Sequence, residues 1–138
     1  MSLWEVAGPI FADSNGCLCE IVIEPVSERD WNVFLSSIVD TEWPIRFERN
    51  GHVSRLPSVV SAVKDEENSV VLRIAPGNLD CNCVFNQIDE IALSFDPADF
   101  RSPERFSELE RLMLWLSRLF GKAASVYLNS WREHVLFE

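Results

Sequence analysis

The chain has 138 residues, of which 47% are hydrophobic and 25% charged, a composition typical of one globular domain. It carries 22 acidic and 12 basic residues, and the formal net charge of −10 disfavours nucleic acid and anionic membranes as partners. No basic segment followed by an apolar stretch opens the sequence, so we expect a cytoplasmic protein without a membrane span. The opening Met1-Ser2-Leu3 resembles an expression leader and is given no functional role.

A strand and an amphipathic helix are predicted in the first 40 residues. Residues from Cys17 to Glu24 alternate, with an apolar set on one face and a mixed set on the other, which indicates a strand. Ser27 then offers an N-cap hydroxyl to a helix whose apolar positions run from Trp31 to Val39 at helical spacing. We therefore expect this helix to pack one face on the sheet.

A hairpin and a further strand are predicted next. Ile45–Arg49 and His52–Arg55 flank Asn50-Gly51, a pair that suits the two positive φ angles of a type I′ turn. Residues Ser69 to Ala75 are rich in Val, Leu and Ile, which favours a strand.

The last third of the chain predicts strands around a long helix. Residues Ile88 to Phe95 alternate as in a strand. Ser102-Pro103-Glu104 combines an N-cap, a first-turn proline and an acid near the positive end of the dipole, so the helix begins there and ends before Gly121. Residues 123–128 predict another strand, and 135–137 a short final one after a polar turn that contains Trp131.

These elements predict an α+β fold with a mostly antiparallel sheet of five to seven strands and two principal helices packed on it, as a single domain over residues 1–138. The core stripe predicted for the long helix consists of Phe106, Leu109, Leu112, Met113 and Leu116. Leu114 and Trp115 lie off that stripe, so we expect the helix to be covered on a second side or to contact another molecule.

Two Cys-x-Cys pairs, Cys17 with Cys19 and Cys81 with Cys83, form the sharpest local motif. Four thiolates could bind zinc, but alternate residues on a strand chelate less easily than the curled Cys-x-x-Cys knuckle. The alternative is that they are small buried residues on sheet faces. We favour reduced, metal-free thiols, because a chain without an export signal meets a reducing cytosol.

Catalytic and nucleotide-binding motifs are missing from the sequence. His52 and His134 belong to no His-Glu-x-x-His arrangement, and no Gly-x-Ser-x-Gly elbow presents a nucleophile. The five glycines are too widely spaced for a phosphate-binding loop. We therefore expect no cofactor, no metal and no catalytic residue, and a small enzyme or ligand-binding domain remains the alternative.

The charge distribution favours a basic protein partner. Acidic residues are concentrated in the first hundred residues, including the run Asp65, Glu66 and Glu67. Trp43 and Trp131 stand in polar surroundings and are candidate interface anchors. These five residues form the predicted partner-binding set. The alternatives are an acidic surface that serves solubility alone and a self-assembling subunit that dimerises through Leu114 and Trp115.

The layout resembles that of small bacterial immunity proteins. The likeness spans residues 17 to 130 and rests on the strand, the Trp-bearing helix, the Asn-Gly hairpin, Phe95-Asp96-Pro97, the helix from Pro103 to Phe120 and the closing strand from Ala124 to Leu128. It implies an acidic, single-domain, cytoplasmic protein that neutralises a cognate toxin by binding it. No functional residue is carried over from the family.

Overall fold

The structure, a computed structural model, describes residues 2–12, 18–60, 70–85, 89–128 and 131–137, with the side chains of 78, 128 and 131–137 excepted. The chain divides into two compact units. The central unit is Glu24–Ile91, and the terminal unit joins Met1–Ile23 to Ala92–Glu138.

The α+β class and the mostly antiparallel pairing predicted from the sequence are confirmed. The helices are α1 (Leu3–Ala12), α2 (Glu28–Ile38) and α3 (Pro103–Phe120), and 3₁₀ turns cover Pro76–Asn78 and Pro97–Phe100. The strands are β1 (Cys19–Ile23), β2 (Ile45–Arg49), β3 (His52–Ser54), β4 (Val70–Ile74), β5 (Cys81–Val84), β6 (Ile91–Phe95), β7 (Ser125–Leu128) and β8 (Trp131–Phe137). None of the helices in the described ranges has the length and apolar character needed to cross a bilayer.

In the central unit the strand order is β3-β2-β4-β5, and each neighbouring pair is antiparallel. The predicted hairpin is confirmed, since Asn50 and Gly51 have φ angles of 50° and 81° between β2 and β3. The N-cap of α2 is confirmed as well. The Ser27 side chain accepts from the Asp30 backbone N–H, and the Asp30 carboxylate accepts from the Ser27 N–H in return, which forms a capping box.

Aromatic side chains join α2 to the sheet of the central unit. Trp31 is fully buried, with its ring centroid 6.0 Å from Phe34 and 5.2 Å from Phe85. Phe85 in turn contacts Phe47 of β2 at 6.2 Å. A side-chain bond also ties the helix to the loop after β3, because Asn32 Oδ1 accepts from the Val60 N–H at 2.7 Å.

In the terminal unit the strand order is β6-β1-β7-β8, and β1 pairs antiparallel with β7. Helix α3 has the predicted ends: the Ser102 hydroxyl accepts from the Arg105 N–H, and Gly121 has φ 64° in the left-handed region. The five residues of its predicted core stripe are all buried, and that prediction is confirmed. Leu114, which lies off the stripe, is 45% exposed, and the expected contact with another molecule stays a prediction.

Helix α1 belongs to the terminal unit and was not predicted, because Gly8 and Pro9 read as helix breakers. The spacing of Trp4, Ala7 and Phe11 is nevertheless helical, and Ala7 and Phe11 are fully buried. The Phe11 ring contacts Phe95 and Phe106, each at 5.8 Å. The Arg101 Nε–H donates to the Phe11 carbonyl at the C-terminal end of α1, where the helix dipole favours a cation.

Two local predictions are wrong. Val39 was placed on the buried stripe of α2, but the helix ends at Ile38 and Val39 is 54% exposed. Trp131, which was predicted to lie in a polar turn, begins strand β8 and pairs with Leu128 of β7. Strand β5 was not predicted as a separate element, since its sequence Cys-Asn-Cys-Val has a single β-branched residue, although the Cys-x-Cys interpretation places Cys81 and Cys83 on a sheet face.

Candidate protein-binding surface

The sheet of the central unit has two unlike faces. Four residues form one row across the strands. Glu48 on β2 lies opposite Val53 on β3 and opposite Val71 on β4. Val71 in turn lies opposite Val84 on β5. Two residues along, Arg46, Arg73 and Asn82 form a second row. Side chains two residues apart on a strand point the same way, so these two rows share one face, called here the outer face.

The inner face lies on the other side of these strands and is buried. Its members Phe47, Leu72, Ile74, Cys81 and Cys83 are at most 3% exposed. On the outer face, by contrast, Val53 is 65% and Val84 41% exposed. The outer face therefore presents apolar side chains to solvent on a hydrogen-bonded sheet.

A charge cluster holds the middle of the outer face. Arg46 and Arg73 stand directly opposite each other on β2 and β4, an arrangement of like charges that is unfavourable by itself. Glu48 lies between them, and its Oε2 is 2.9 Å from Arg46 Nε and 3.0 Å from Arg73 Nε. The Arg73 Nη1 also donates to Asn82 Oδ1 at 3.0 Å.

The exposure of the three charged side chains differs strongly. The Glu48 side chain is 8% exposed, whereas those of Arg46 and Arg73 are 58% and 38% exposed. A buried carboxylate thus fixes the Nε edges of two partly exposed guanidinium groups, and Arg73 is held further by its bond to Asn82. This geometry presents oriented donors to the carbonyl or carboxylate oxygens of a partner.

A polar cleft of about 520 Å³ adjoins the cluster at the end of the sheet where β2 begins and β4 ends. Pro44, Ala75 and Asp80 line it together with the two arginines and Glu48. The Ala75 N–H donates to the Pro44 carbonyl at 3.0 Å, which extends the β2–β4 pairing to the edge of the cleft. Asp40, Glu42 and Asp80 are exposed in the segments that border this end.

The predicted partner-binding residues are not brought together by the described structure. Trp43 is half-buried in the bend after α2 and directly precedes Pro44 of the cleft. Asp65, Glu66 and Glu67 lie outside the described residues, and for Trp131 only the backbone, in β8, is described. Of the predicted set, Trp43 alone has a described side chain, and it is not among the residues that line the cleft. The partner-binding role of all five residues stays a prediction.

The sequence reasoning missed Arg46, Glu48 and Arg73. The alternation Ile-Arg-Phe-Glu-Arg from Ile45 to Arg49 did mark one polar face on β2. What it left open was the partner strand, because the cluster depends on the pairing of β2 with β4, 25 residues further along the chain.

The reactive side chains lie apart from the outer face. Cys19, Cys81 and Cys83 are free and buried, which confirms for these three the interpretation as small buried residues on sheet faces; Cys17 is outside the described residues. Burial raises the pKa of the Cys83 thiol, so that thiol stays neutral in the folded protein. His52 is exposed on β3, and the side chain of His134 is not among those described.

Among the described residues no three His, Cys, Asp or Glu side chains are grouped as a metal site would require. No protein-family model, no curated protein and no solved structure matches this chain. The resemblance to immunity proteins therefore stays a hypothesis, and the function proposed below rests on the geometry of the chain itself.

Proposed function

We propose that this protein is a non-catalytic binding module that recognises a basic protein through the outer face of its central unit. The observation that carries the proposal is the exposure of Val53 and Val84 beside arginines held in place by the buried Glu48. Exposed apolar side chains next to oriented arginines are typical of the centre of protein interfaces.

The rigidity of this surface supports recognition of a folded partner. Val84 lies on β5, which pairs with β4, and Val53 lies on β3, which the tight hairpin joins to β2; the inner face below them is packed against aromatic side chains. A surface ordered before binding loses little conformational freedom on association. The arginines likewise begin with their Nε edges already fixed.

The charge of the chain supports a basic partner. The central unit has twelve acidic and six basic residues in its sequence, and Asp40, Glu42 and Asp80 are exposed at the cleft end of the sheet. A surrounding negative field speeds the approach of a cationic protein, while the fixed arginines select its orientation. A toxin neutralised by this chain, as the immunity-like layout implies, is the partner we favour.

The burial of the Cys83 thiol argues against a nucleophilic role for that cysteine and so favours binding. A catalytic cysteine needs an accessible, readily ionised thiol, whereas Cys83 is buried and its pKa is raised by that burial.

The proposal is tested by affinity capture from extracts of the source cells, followed by binding kinetics with the purified partner. Wild-type protein is compared with V53D/V84D and with a control double variant, V33D/V39D, which adds the same charge at two exposed positions, one on α2 and one directly after it. We expect wild type and control to bind a basic protein and V53D/V84D to bind it at least about tenfold more weakly, because charge is buried against the apolar centre.

Salt dependence gives the second readout. Association should slow steeply as ionic strength rises from about 0.1 M to about 1 M, because the Debye length shrinks from about 10 Å to about 3 Å. Equal binding by the two double variants would overturn the assignment of the outer face, and a partner without net positive charge would overturn the proposed partner class.

A further inference from the structure

The terminal unit contains a groove that the proposed function does not use. It has a volume of about 640 Å³ and lies between α1 and α3, next to the segment that leads into β7. Its lining is mostly apolar and includes Trp4, Val6, Phe106, Met113 and Leu114. This volume lies within the roughly 300–1,000 Å³ range of small-molecule sites.

Trp4 is fixed as one wall of the groove. Its ring centroid is 5.4 Å from that of Phe106 on α3. One turn along α1, a Cβ at position 8 would lie 3.2 Å from the Trp4 ring, so Gly8 leaves room for the indole to lie close against its own helix. The half-buried indole thus contributes a second π-system of defined position, beside the ring of Phe106, to a mostly apolar site.

Glu110 is the charged residue in the lining of this groove. Its helical neighbours three and four residues away are Phe106, Ser107, Met113 and Leu114, none of which carries a positive charge. Glu108, on the same helix, differs because Arg111 Nη1 lies 3.5 Å from its carboxylate. Within the described part of the chain no ion pair involves Glu110, so a half-buried carboxylate faces an apolar groove without a cation of its own.

From this combination we infer that the groove binds a small organic cation with an apolar body. An ammonium group is attracted both by the Glu110 carboxylate and by the face of an indole such as that of Trp4. The hydrophobic body of the ligand would cover Phe106, Met113 and the exposed Leu114. This site lies in the terminal unit and does not depend on the proposed protein-binding surface.

Three probes with one apolar body, the 4-phenylbutyl group, test the inference: 4-phenylbutylammonium, 4-phenylbutanol and 5-phenylpentanoate. Binding to the full chain is followed by ¹H–¹⁵N NMR, with the Trp4 indole signal as the local reporter. We expect saturable binding with affinity decreasing from the cation to the alcohol to the anion. The cation should bind about three- to tenfold more tightly than the alcohol, because one exposed ion pair and one cation–π contact together contribute a free energy of that size.

Matched variants separate the groove from the general negative charge of the chain. E110Q should reduce the advantage of the cation over the alcohol to the part that the cation–π contact provides, whereas E108Q, which deletes the same charge elsewhere on α3, should preserve the full advantage. S117F, which fills the groove, should weaken all three probes. A readout by NMR also reports whether each variant is folded.

Several results would overturn the inference. These are equal affinity for the three probes, an equal loss of preference in E110Q and E108Q, or shifts that spare the Trp4 indole. A concentration-dependent dimer in sedimentation that L114E dissociates would also overturn it, because a second copy would then occupy the groove.

Discussion

The two units both bury aromatic clusters but leave different surfaces free. The central unit covers the inner face of its sheet through Trp31 and Phe85, and its outer face keeps Val53 and Val84 exposed. The terminal unit brings two helices together through Trp4 and Phe106, and a groove is left beside that contact. A sheet face offers a broad, flat surface that suits a protein, and a helix-lined groove encloses a smaller molecule.

The largest expected effects come from matched core truncations, one in each unit. Leu72 on β4 and Leu112 on α3 are both fully buried, so Leu72→Ala and Leu112→Ala should each lower the free energy of unfolding by about 2–5 kcal/mol. Urea denaturation gives the loss, and hydrogen exchange shows where protection decreases. We expect Leu72→Ala to speed exchange in β2, β4 and β5, and Leu112→Ala in α3. Uniformly faster hydrogen exchange across both units in either variant would contradict the division of the chain into two compact units.

A smaller effect is expected from the charge cluster of the outer face. Glu48→Gln keeps the shape of the side chain but leaves Arg46 and Arg73 opposite each other without the carboxylate between them. The free energy of unfolding should fall by about 1–3 kcal/mol, since charged hydrogen bonds are lost and the arginines are partly screened by solvent. Arg46→Gln is the control and should cost less than about 1 kcal/mol, because that side chain is 58% exposed. Equal losses would show that Glu48 does not bridge the two strands.

The smallest effect concerns pH and the thiol of the inner face. Burial raises the pKa of Cys83 above its ordinary value, so in alkaline solution the unfolded chain releases this proton while the folded chain keeps it. Stability is therefore unaffected below the unfolded pKa and falls as pH rises above it, by about 1 kcal/mol near pH 9.5. Denaturation of wild type and Cys83→Ala at pH 7 and pH 9.5 checks this. An identical pH dependence of the two proteins would contradict it.

Elements whose signals are local could be predicted from the sequence. Helix α3 has its cap at Ser102, its stop at Gly121 and its stripe in between, and the hairpin is specified by Asn50-Gly51. The bounds of strand β5 could not be predicted, because residues 81–84 form a strand only through their pairing with β4. The same holds for the candidate sites. Arg46 meets Arg73 through strand register, and Trp4 meets Phe106 across about a hundred residues of chain, so no local pattern contains either contact.

Arg46 and Arg73 share one oxygen of the Glu48 carboxylate. This sharing restricts the order in which substitutions at the three positions can accumulate. Loss of either arginine leaves Glu48 paired with the other one, so such a substitution is tolerated as a first step. Loss of Glu48 first leaves two facing guanidinium groups and is disfavoured until one of them has gone. Positions 46, 48 and 73 should consequently show strong dependence on one another in a library of random variants, with the double replacement at 46 and 48 better accepted than the single one at 48.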